Sequence, residues 1–163
     1  MRLVLGSRVF DLAARALVIA PLAGTGGAFA LRARAARELA AAGADLVELG
    51  WEVGIGAADL RALARRSAVD LAVRVPAGPG DPPVSPGTAA AACREAGALL
   101  VAGDRAWPPE PSAGGPWSVV DAVGAGLEVV AVAVARGCRL VRTEDVGPAR
   151  RVCDVLAAVA GAR

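Results

Sequence analysis

Three times along the chain an alanine-rich stretch runs into a glycine and leaves it as a short aliphatic run. The copies are Ala41-Ala42-Gly43-Ala44-Asp45-Leu46-Val47-Glu48-Leu49-Gly50, Glu95-Ala96-Gly97-Ala98-Leu99-Leu100-Val101-Ala102-Gly103 and Ala135-Arg136-Gly137-Cys138-Arg139-Leu140-Val141-Arg142. A glycine just past a helix takes the left-handed backbone that side chains resist. A strand that is apolar on both faces needs helices on both sides of its sheet. The repeat therefore predicts βα units around a parallel sheet. Such sheets carry their ligand chemistry at the carboxyl ends of the strands, which draws attention to Gly50, Glu52, Arg142 and Glu144.

Length limits how far that plan can extend. A complete eight-stranded α/β barrel takes about 250 residues, and this chain has 163. That suits one domain over 1–163, with any barrel incomplete. With 55% hydrophobic and 21% charged residues the chain is globular, and a net charge of +2 gives no footprint for nucleic acid or an anionic membrane. The chain contains no histidine, lysine, asparagine, glutamine or tyrosine. That removes the usual proton shuttle at neutral pH and every lysine Schiff base. Cys93, Cys138 and Cys153 lack metal-ligand spacing and are expected as small buried hydrophobes. The uncharged stretch 16–31 is broken by Pro21, Gly24, Gly26 and Gly27, which argues against a signal peptide or membrane span, so a cytoplasmic protein is expected.

Element by element, 2–5 and 8–12 predict a small hairpin around Gly6-Ser7, and 17–22 the first core strand. A glycine-rich loop, 23–28, opens a helix over 29–42. Strands follow at 45–50 and 70–75 around a helix at 57–67, then a proline-rich loop, a helix begun by Ser85-Pro86, and a strand ending near 102. Residues 104–117 hold four prolines and are expected as a connector, neither helix nor central strand. Ser118 is expected to cap a long apolar helix to Arg136; a last strand over 138–143 and a helix opened by Gly147-Pro148 complete the plan.

Four collinear segments resemble dihydropteroate synthase. They are Leu3-Val4-Leu5-Gly6-Ser7-Arg8-Val9-Phe10-Asp11-Leu12, the strand Leu17-Val18-Ile19-Ala20 before a loop with Thr25 and Phe29, the run Gly43 to Glu52, and the close from Gly137 to Val146. The resemblance covers 1 to about 103 and 118 to 163. It implies a TIM barrel of the folate pathway that joins a pterin diphosphate to p-aminobenzoate. Carried over, its ligand positions are mostly changed. The loop asparagine and aspartate become Ala23 and Gly27, and a Ser-Thr-Arg becomes Val53-Gly54-Ile55. The pterin-binding aspartate falls on Arg74, the pterin-binding asparagine on Ala102, and the histidine of a terminal Arg-x-His on Glu144, with Arg142 retained. The middle strands of the family are replaced by the proline-rich connector.

Arg142 is the leading candidate, since a guanidinium at a strand end suits a phosphate; the alternative is an ion pair with Glu144 or Glu52. Glu144 and Asp145 could serve a metal or proton transfer, or stabilise the N-terminus of the next helix. Glu48 and Glu52 match acidic positions of the family, with structural pairing as the alternative. Thr25 with Gly24, Gly26 and Gly27 could cradle an anion or form a plain turn. Trp51, Trp107 and Trp117 are expected near the site end, filling vacated ligand space or anchoring a partner.

The expected fold is thus α/β, a truncated TIM-barrel relative of about five parallel strands with an N-terminal hairpin. Its open edges require reclosure of the sheet or a second chain. The expected function is that of a dihydropteroate synthase-like pseudoenzyme, partnered by a competent synthase or by itself, with no catalytic residue, cofactor or metal. The alternatives are a binder or enzyme for another phosphorylated small molecule, using Arg142, Glu144 and the Thr25 loop, and a flavodoxin-like domain, which strand order would reveal.

Overall fold

The computed structural model describes residues 2–5, 7–22, 29–50, 55–75, 86–107 and 117–161. An antiparallel hairpin comes first, from β1 (Arg2–Leu5) and β2 (Arg8–Asp11). Seven further strands close into a barrel in sequence order: β3 (Leu17–Pro21), β4 (Leu46–Gly50), β5 (Asp70–Val75), β6 (Leu99–Ala102), β7 (Arg105–Trp107), β8 (Trp117–Asp121) and β9 (Leu140–Arg142). The helices are α1 (Phe29–Ala41), α2 (Ala57–Ser67), α3 (Pro86–Ala96), α4 (Leu127–Ala135) and α5 (Val146–Gly161). Sequential neighbours in a closed barrel exclude the flavodoxin-like order.

The repeat that dominates the sequence does what its chemistry dictates. Gly43, Gly97 and Gly137 have φ of 108°, 71° and 94°, so each helix stops on left-handed backbone before its strand. Along the strands, alternate residues separate two environments. Leu17, Ile19, Leu46, Ala72, Leu99, Val101, Val119 and Leu140 fill the barrel interior, and Leu3, Leu5, Phe10 and Leu12 of the hairpin join that cluster. Outside, Val47, Leu49, Leu71 and Val73 pack under α1, α2 and α3, and Val18, Ala20 and Val141 under α4 and α5.

Three expectations on the second half are corrected. The barrel has seven strands rather than about five, because residues within 104–117 do form strand: Arg105–Trp107 is β7, and Trp117 begins β8. The prolines fall between the two, at positions 108, 109, 111 and 116, so neither strand loses an amide to them. Ser118 caps no helix, since it lies in β8, and the expected helix is delayed to Leu127. The valines at 119 and 120 therefore follow their strand preference. Gly103, at φ 57°, turns β6 back into β7, which pairs antiparallel with both β6 and β8. That reversal lets β8 run parallel to β9, and β9 pairs with β3, so the sheet recloses and leaves no open edge.

Trp117 lies at the start of β8, buried in the interior and at the opposite end of that strand from Asp121, so it fills the core and not the site end. Trp51 lies outside the described residues, and Trp107 sits in β7. Cys93 and Cys153 are buried as expected, while Cys138 is half-buried. Burial pushes the Cys93 thiol up to about 12; burial, followed by the nearby Asp154, pushes Cys153 to about 11. Among the described residues no helix is long and apolar enough to cross a membrane.

Candidate functional site at the carboxyl ends of the strands

The interior-facing positions of β4, β5, β8 and β9 end in charge. Counting by twos from the apolar interior, Leu46 leads to Glu48, Ala72 to Arg74, Val119 to Asp121 and Leu140 to Arg142. Strand pairing brings these four to one rim, with Asp121 directly beside Arg142 in register.

There they form one connected network. Arg142 Nε donates to Glu48 Oε1 at 2.8 Å, reaching across β3, which lies between β9 and β4. Its Nη1 donates to both Asp121 oxygens, at 3.1 and 3.2 Å. Arg74 Nε sits 3.1 Å from each Glu48 oxygen, and Arg74 Nη2 is 3.7 Å from Asp121. Glu48 is only 3% exposed, so two guanidiniums are what make a carboxylate tolerable there. Asp121, at 50%, faces water at the outer side of the network. Burial alone would lower the Arg142 pKa, but its bonds to Glu48 and Asp121 outweigh that and hold it above the usual arginine value. Two carboxylates face two guanidiniums, so the four charges sum to zero. Arg74 Nη2 is buried and makes no hydrogen bond among the described residues.

Of the candidates from the sequence, the structure brings Glu48 and Arg142 into direct contact. Among the described residues the partners of Arg142 are Glu48 and Asp121 rather than Glu144. Glu144 stands exposed beyond the end of β9; its carbonyl accepts the Val146 N–H as the chain enters α5. The Asp145 N–H donates to Thr143 Oγ1 at 3.1 Å, and its carbonyl accepts from Ala149, so Asp145 helps start α5. Thr25 and Glu52 lie outside the described residues. Two members were missed. Arg74 was noted only as a charge reversal, although a strand-end arginine beside a buried glutamate position signals an ion pair. Asp121 was hidden by the helix expected over its segment; the alternation Trp117, Val119, Asp121 is the signal that would have shown it.

No protein-family model and no curated protein matches the sequence. Solved structures do match the fold. A Yersinia pestis dihydropteroate synthase, determined with a pterine-sulfa conjugate, superposes with a TM-score of 0.63 at 14% identity, covering 100% of both chains. A dihydropteroate synthetase gives 0.64 at 15% identity, covering 100% of this chain and 99% of that one. A Burkholderia cenocepacia dihydropteroate synthase complexed with 7,8-dihydropteroate gives 0.59 at 16%, covering 99% and 97%. The structural neighbours of this chain are dihydropteroate synthases, and what it shares with them at this identity is the fold.

Proposed function

We propose that this chain is a non-catalytic homologue of dihydropteroate synthase, a barrel that keeps the scaffold and has closed its ligand end on itself. The carrying observation is the neutral network of Glu48, Arg74, Asp121 and Arg142 at the carboxyl rim. Arg142, the one residue that matches a phosphate-binding position of the family, already directs its Nε and Nη1 at two carboxylates. Arg74 stands where the resemblance calls for a pterin-reading aspartate, and Ala102 where it calls for an asparagine. A guanidinium and a methyl offer no acceptor or amide to a pterin edge. Each buried polar edge left unpaired costs about 1 to 3 kcal/mol, so several such losses remove decades of affinity.

Isothermal titration of the full chain with a pterin diphosphate and with p-aminobenzoate tests this reading. The expected result is no binding of either at micromolar concentration and no condensation product. Micromolar binding of both, or turnover, overturns it.

A further inference from the structure

A cavity opens at the end of the barrel opposite the rim, and the rim network does not account for it. It holds about 340 Å³ beside the starts of β5 and β6, walled by α2, the end of α3 and the hairpin turn at Ser7-Arg8. Small-ligand sites run from about 300 to 1,000 Å³, so a small molecule fits.

Helix α2 gives this cavity a face divided into two rows. Leu60, Ala64 and Ala68, each four residues apart, form an apolar row, and Arg61 and Arg65 form a cationic row beside it. The apolar row ends on a strained residue. Ala68 has φ 55°, and among the described residues it alone takes positive φ without being glycine, whereas α1, α3 and α4 reach their strands through Gly43, Gly97 and Gly137. An alanine there resists the left-handed backbone. What it adds over glycine is a methyl in the cavity wall. Across from α2 the wall is Ala96, Gly97 and Ala98, small residues that leave space a larger aliphatic would fill.

The charges decide what can enter. Arg8 pairs with Asp70 at 2.9 Å, and Arg61 pairs with Glu95 at 2.9 Å while donating to the Glu95 carbonyl at 3.1 Å. Arg65 is exposed and makes no hydrogen bond or ion pair among the described residues. One guanidinium fork is therefore open, which suits one carboxylate held by two parallel bonds. Asp70 and the negative carboxyl ends of α2 and α3 border the same space, and they disfavour a multiply charged phosphate. A singly charged anion with a hydrocarbon body matches both rows.

We propose that this cavity is a binding site for a small aliphatic monocarboxylate, its hydrocarbon body on Leu60, Ala64 and Ala68 and its carboxylate on Arg65. The site lies at the opposite end of the barrel from the rim network and does not depend on the functional reading above.

Amide NMR titrations of the isotope-labelled full chain with hexanoate, hexanol and inorganic phosphate test it. Hexanoate should move the amides of Arg65, Ala68 and Gly97 saturably, with a Kd of about 1 mM or tighter, and leave those of Glu48 and Arg142 in place. Hexanol carries the tail without the charge and phosphate the charge without the tail, so each should bind at least about tenfold more weakly. Arg65→Ala should weaken hexanoate by about tenfold. Arg66→Ala removes a like charge whose guanidinium lies 5.7 Å from the centroid of the Phe29 ring, outside the cavity, and should leave binding unchanged. Both arginines are exposed, and unchanged far-UV circular dichroism checks that the variants fold. No saturable shift of the cavity amides up to about 10 mM hexanoate overturns the proposal. So does hexanol or phosphate bound as tightly as hexanoate, or a site indifferent to Arg65→Ala.

Discussion

Each end of the barrel buries a carboxylate between two arginines, and the two ends do it with different parts. At the amino end of β4, Asp45 accepts the Val18 N–H at 2.9 Å and hydrogen-bonds to Arg15 and Arg150. Arg150 also donates to the Gly43 carbonyl at 3.1 Å, so this node ties β3, the turn after α1 and α5 into one knot. At the carboxyl end, the Glu48 carboxylate meets, among the described residues, the side chains of Arg74 and Arg142 alone. One end uses its charge to fix backbone; the other joins side chains to one another. The difference separates a carboxylate that ties backbone segments together from one that, on the proposed function, fills the ligand end.

The largest expected effect comes from breaking the first knot. Asp45→Ala leaves the Val18 amide without its acceptor, and leaves Arg15 and Arg150 with only the exposed Asp154 as counter-charge. Loss of one partner of a buried ion pair and of a buried amide acceptor together should cost about 4 kcal/mol. Urea unfolding measures it, with a lower midpoint and an unchanged slope as the expected signature. A loss under about 1 kcal/mol would put Asp45 among ordinary surface pairs and erase the contrast.

Glu48→Ala sharpens the contrast from the other side. Arg142 keeps Asp121, and both guanidiniums retain some contact with water, so a smaller destabilisation of about 2 kcal/mol is expected. The rim then carries two arginines against one exposed carboxylate. Such a site should acquire affinity for a polyanion. Inorganic pyrophosphate should raise the melting temperature of Glu48→Ala and leave those of the wild type and Asp45→Ala unmoved. A wild type stabilised as strongly as Glu48→Ala would show that the network leaves room for an anion, against the closed rim.

How much of this was legible in the sequence follows from the range of the forces involved. The helix stops at Gly43, Gly97 and Gly137 are local, set by one residue's backbone freedom, and the three strands that follow them were found within a residue or two. The reversal at Gly103 was not. β7 has three residues, and β8 sits between a proline-rich stretch and a valine-rich helix, so neither offers a long period to read; closure of the barrel is what holds them in place. The site was half legible for the same reason. Glu48 and Arg142 stand at strand ends visible in the sequence. Their pairing across β3, and the roles of Arg74 and Asp121, depend on which strands meet at the rim.

The smallest expected effect lies on β5, whose inner face carries a charge at each end, Arg74 above Ala72 and Asp70 below. Asp70 pairs with Arg8 of the hairpin at 2.9 Å, yet burial outweighs that attraction and pushes its carboxyl above the ordinary value. The folded chain therefore holds a proton at Asp70 at pH values where the unfolded chain has released it. In that window the folded state binds more protons, so stability falls as pH rises through the folded pKa, the reverse of a salt bridge that depresses its acid. Over the range from just above pH 3.8 to neutrality, the Asp70 contribution should decline with rising pH by less than about 1 kcal/mol. Asp70→Asn should flatten that component when urea midpoints are compared across the range. A component of opposite slope, lost on substitution, would mean that Arg8 and not burial governs Asp70, and that both ends of β5 are held by the same ion-pair attraction.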